Sequence, residues 1–196
     1  MGSLGTSSPR WGRPLGALFV LGVAGVLAVL VSGAARVAAS PLPPKTPNAD
    51  AYVDASQPNK KFGTSATLRV DSSPLQRSFL RFDLTDVTGT VTSATLKVWA
   101  TNSLSTGISA YAVADNSWSE KTITDSTAPA VGALLATSLK VQANAWVTFD
   151  VTSAVSAGGM VSFALESGNP TALAMSSLEG ANPPRACAFF CVSVGG

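Results

Sequence analysis

The chain has 196 residues with 13 Lys and Arg, 11 Asp and Glu and no histidine, which excludes Ser-His-Asp and Cys-His centres and a histidine-bound catalytic zinc. Arg10, Arg13 and Arg36 fall in the first 39 residues, so the remainder carries 10 cations against 11 acids. The clustered basic footprint of a nucleic-acid-binding domain is therefore missing from the sequence.

Residues 1–39 read as a secretory leader. Arg10 and Arg13 precede an uninterrupted apolar stretch at 15–31, and Val37-Ala38-Ala39-Ser40 offers small residues for cleavage after Ala39. An uncleaved membrane anchor is the competing reading, because 15–31 has 17 residues, at the lower limit of the roughly 17–25 needed for a span. Both readings put the rest of the chain outside the cytoplasm, secreted in the first case and membrane-held only in the second. SPLPPKTPN (40–48) has four prolines and no periodicity, which predicts a Pro-rich linker. Residues 49–196 suffice for one monomeric domain with its own core.

DAYVDAS (50–56) predicts a first strand, and QPNKKFGTS (57–65) a polar loop closed by Gly63. ATLRV (66–70), RSFLRFDL (77–84) and SATLKVWA (93–100) follow, each apolar at every second position. GISAYAV (107–113) is another strand, and 115–132 is long, irregular and rich in Ser, Thr and Asp. AWVTFDVT (145–152) alternates cleanly, and a short helical turn is expected from Thr152. VSFALES (161–167), ALAMSSLE (172–179) and ACAFFCVSV (186–194) complete the set. About nine short strands divided by turn signals predict an all-β fold, a jelly-roll β-sandwich of antiparallel strands.

Residues i and i+2 of a strand share a face. Leu68, Val70, Leu80, Phe82, Leu84, Ala94, Leu96 and Val98 are thus expected inside, and Arg69, Arg81, Asp83, Lys97 and Trp99 outside. Three cations with an indole suggest a binding surface. The plainer alternative is a set of snorkelling side chains that cover a sheet face, with Arg81 balanced by Asp83. Lys60 and Lys61 in the loop, and Trp146 at exposed parity, could extend such a site. Cys187 and Cys191 would lie about 13 Å apart in a strand, beyond the ~7 Å that a disulfide allows. Free or intermolecular thiols are the first reading, a strained bridge in a turned tail the second, and a metal site the third.

The ordered pieces ADAYVDASQPNKKFGTSATLRVDSS, RSFLRFDL, SATLKVWA, DNSWSEKTIT, WVTFDVTSAV, VSFALES and SSLEGANPPR resemble the DNRLRE-type domain, grouped as carbohydrate-binding module family 96. The resemblance covers residues 50 to about 185. After Arg185 the family continues into an aliphatic β-branched strand where this chain reads ACAFFCVSVGG, so the last strand is the least secure. The resemblance implies a secreted jelly-roll module, without catalysis of its own, that binds an anionic or cell-wall polysaccharide. Guanidinium groups grip carboxylates in pairs of hydrogen bonds and an indole stacks on a pyranose ring. On this reading the ligand-binding residues are Arg69, Arg81, Lys97, Trp99, Lys60 and Lys61. Trp118 is expected as a loop anchor packed on the core.

Related jelly-roll modules hold a structural Ca²⁺ between the first strand and a late one. That implies Asp50 and Glu179 as ligands, with oxygens from Asp71 or Asn59 in addition; the alternative is that both are solvated strand-end charges. Calcium needs six to eight oxygens, mostly carboxylates and backbone carbonyls. The rival to sugar binding is a structural spacer or adhesion domain that separates or displays other parts of an extracellular protein.

Overall fold

The computed structural model describes residues 40–41 and 43–191, with side chains from 43 to 187. The leader and the end of the last expected strand (192–194) lie outside the described residues. Among the described residues eleven strands are formed: β1 (Ser40–Pro41), β2 (Ala49–Asp54), β3 (Thr67–Ser72), β4 (Leu75–Asp83), β5 (Thr90–Ala100), β6 (Ser109–Val113), β7 (Leu134–Thr137), β8 (Ala145–Asp150), β9 (Met160–Glu166), β10 (Leu173–Ser176) and β11 (Arg185–Cys191). Two single 3₁₀ turns, Asp125–Thr127 and Thr152–Ala154, accompany them. No helix among the described residues is long and apolar enough to cross a membrane.

All pairings are antiparallel, and the strands curl into two facing layers. The first layer runs β2-β4-β9-β6-β7. The second is centred on β5, with β8 on one side and β11 and β10 on the other; β1 lies beyond β11 and β3 beyond β10. The β3–β4 hairpin turns the corner between the layers, pairing Asp71 with Gln76. This is the expected antiparallel sandwich.

Alternation sets what lies between the layers. Leu68, Val70, Leu80, Phe82, Leu84, Leu96, Val98, Phe149, Phe163, Leu165, Leu173 and Met175 form one buried cluster. Phe82 and Phe163 meet edge to face there, with centroids 6.1 Å apart. A second cluster sits on the outside of the first layer: Ala49, Ala51, Val53, Phe79 and Ala164 pack under Trp118 and Ile123 from the long 114–133 connection. That connection roofs one sheet, which the alternating pattern alone does not reveal.

Part of the stretch read as a linker is bonded to the sandwich. Ser40 and Pro41 pair with Phe190 and Phe189, and Lys45 exchanges both backbone hydrogen bonds with Ala186 at 2.8 Å. β11 pairs with β5 from Arg185–Lys97 to Cys191–Thr90, with a register shift between Phe189 and Phe190. Cys187 carries a free thiol, and both cysteines belong to one extended strand.

Candidate functional site

The outer face of the second layer collects most of the expected cations and indoles. Register places Lys97 between Arg185 of β11 and Thr148 of β8, and Trp99 directly beside Trp146. Arg69 of β3 lies across from Ala174 of β10 on the same layer. Arg69 and Arg185 are exposed, whereas Lys97, Trp99 and Trp146 are half-buried. The two indoles meet edge to face at 5.3 Å and 73°. The Arg185 guanidinium lies over the Trp146 ring, 5.1 Å from its centroid, a cation–π contact that holds it near the surface while its N–H groups stay available.

Arg185 was not among the residues singled out from sequence. It follows Pro183-Pro184 and reads as the end of a loop, although it opens β11 and shares the outward parity of Lys97. Trp146, by contrast, had the right parity and the right strand.

Arg81 does not belong to this face. β4 lies in the first layer, and outward there means under the roof. The Arg81 guanidinium donates to Asn48 Oδ1 at 3.2 Å, to the carbonyl of Asn116 at 3.0 Å and to that of Trp118, and it sits 5.3 Å from the Trp118 ring. These contacts hold the loop, which gives Arg81 a structural role away from the cationic face. Trp118 is the expected anchor: it is buried, donates its indole N–H to Ser162 Oγ at 3.1 Å and meets Phe79 edge to face. Lys60 and Lys61 are both exposed in the β2–β3 loop. Lys60 donates to Gln57 Oε1 at 3.1 Å and lies 4.9 Å from the Phe62 ring, which stacks on Tyr52.

A second site lies at one end of the sandwich. Asp50 pairs with Leu80 and is 1 % exposed. Its Oδ2 accepts the Leu178 N–H at 2.7 Å, while its buried Oδ1 has no hydrogen-bond partner. Burial pushes the Asp50 carboxyl up to about 7; the Leu178 N–H opposes this, and the charges of Glu179 and Glu120 add to it. Glu120 also has a buried, unpartnered Oε2. Glu179 is exposed and accepts from Ser177 Oγ at 2.9 Å. Among the described residues no group of three or more Asp, Glu or Cys side chains could hold a metal ion. Asp50 Oδ1 and Glu120 Oε2 are thus two buried carboxylate oxygens without a hydrogen-bond partner, and carboxylate oxygen is the donor type that hard cations take. Asp71 and Asn59 are used otherwise, Asp71 accepting from the Ser73 N–H and Asn59 from Ser126 Oγ.

The model for carbohydrate-binding module family 96 matches residues 43–187. The chain belongs to that family. Among curated proteins no relative matches. The family 96 module has one sheet face roofed by the 114–133 connection and one left open among the described residues, and its partner is a carbohydrate.

Proposed function

We propose that this family 96 module is a secreted, non-catalytic monomer that binds an anionic polysaccharide on the open face of its second layer. The observation that carries the reading is the Trp99–Trp146 pair flanked by Arg185 and Lys97. Indoles offer an apolar face to sugar rings. A guanidinium and an ammonium on neighbouring strands meet carboxylates repeated along a polymer. Arg69 extends the same positive surface by way of β10.

Affinity electrophoresis against alginate, pectate and a neutral glucan tests this. Retardation is expected mainly by the uronic-acid polymers, and it should weaken with added salt because exposed charges are screened over about 8 Å at physiological ionic strength. Arg185→Ala should reduce uronate binding alone, whereas Trp99→Ala should reduce every interaction. Retention by none of the polymers would favour a spacer or adhesion role.

Calcium belongs to the same proposal as a structural ion held by Asp50 and Glu179. The ion would tie the first strand to the loop around 179. Melting in calcium and in excess chelator should then differ by several degrees, since a ligand of the folded state alone stabilises it by mass action.

A further inference from the structure

We propose that the depression between the β7–β8 connection and the free edge of β8 is a second subsite of the open face, in which Lys140 reads the carboxylate of the next sugar of a bound uronate chain. The inference rests on the carbohydrate reading above and adds a residue and a loop that the strand pattern did not mark.

The depression has a volume of about 390 Å³, within the roughly 300–1,000 Å³ of small-ligand sites. Trp146 and Thr148 form the wall on the strand side, and Leu139, Lys140 and Gln142 the wall on the loop side. Among the described residues no acid lines it, and Lys140 is its one charged residue.

The loop is held firmly. Leu104 and Val141 exchange both backbone hydrogen bonds at 3.0 Å, and both side chains are buried. Ser138 Oγ accepts the Ile108 N–H at 3.0 Å and donates to the Leu139 carbonyl at 3.0 Å. A Cβ on Gly107 would overlap the Ser138 carbonyl, so the two loops lie backbone against backbone. The chain re-enters β8 through Asn144 at φ 54°, a left-handed conformation that asparagine tolerates.

These anchors leave Leu139 87 % exposed at the lip. An apolar lip, an indole wall, an amide and an ammonium suit one sugar unit with a carboxylate. Trp146 is thereby bracketed by cations, Arg185 over its ring from the β11 side and Lys140 across the cleft beyond β8. A polymer laid across β11, β5 and β8, which are spaced by about 4.8 Å, would enter the cleft as it leaves the indoles. Only a ligand whose charge recurs from unit to unit satisfies both cations.

Isothermal titration with galacturonate and with mannuronate–guluronate oligomers, from dimer to octamer, tests the subsite. For the parent, affinity should rise with length until the cleft is filled. Lys140→Ala should weaken the long oligomers by about tenfold and flatten the length dependence, leaving the dimers unchanged. Its melting temperature should match the parent's, since the side chain is exposed. If Lys140→Ala binds every oligomer as the parent does while Trp99→Ala loses binding, the subsite is wrong and the open-face reading stands. If the parent binds no uronate oligomer, both fall.

Discussion

Asp50 is held up near 7 by burial first and by Glu179 and Glu120 in addition, against the Leu178 N–H, so the metal-free folded state keeps a proton that the unfolded chain releases near pH 4. Between those values the unfolded chain binds fewer protons, and stability falls as pH rises. At about 1.4 kcal/mol per pH unit, the loss across the window is on the order of 4 kcal/mol. Thermal melts in chelator should therefore show a midpoint falling from about pH 5 to pH 7. Calcium should flatten that slope, and Asp50→Asn should remove both the slope and the calcium response. A calcium response that survives Asp50→Asn would put the ion elsewhere. Arg81 makes a separate test. Arg81→Ala leaves the carbonyls of Asn116 and Trp118 without their charged donor, at a cost of about 2–3 kcal/mol. Denaturant unfolding should register that loss while uronate binding by the folded variant stays as in the parent.

At the level of the element, alternation located every long strand, because a half-buried strand has to place one parity inside. β7 (Leu134–Thr137) escaped: LLAT does not alternate, and it sits on the edge beyond β6, where little burial constrains it. The 114–133 connection was legible as irregular, but its role as a roof was not. One trace existed in the sequence, since Phe79 has the outward parity of Arg77 and Arg81 and yet is a large apolar residue; it is fully buried beneath Trp118. Trp118→Ala should accordingly cost about 3–5 kcal/mol, as other large-to-small changes in cores do. Its effect should appear in unfolding midpoints and leave the open face untouched.

For the whole molecule, parity says which way a side chain leaves its strand but not which layer that strand joins. Arg81 and Lys97 have the same parity on strands β4 and β5 and emerge on opposite sides of the sandwich, because those strands belong to different layers. That is why one expected ligand became a loop anchor while Lys97, Trp99 and Arg69 stayed together. Arg185 was invisible for the complementary reason: its place is set by pairing with Lys97, a contact between residues far apart in the chain.

That pairing also orders events in time. Arg185 reaches the open face only when β11 docks between β5 and β1, and contacts between such distant segments close late and slowly. During synthesis the indoles and Lys97 are present well before their guanidinium partner. If the proposed open-face binding holds, the ability to hold an acidic polymer becomes a report that the chain has folded through β11.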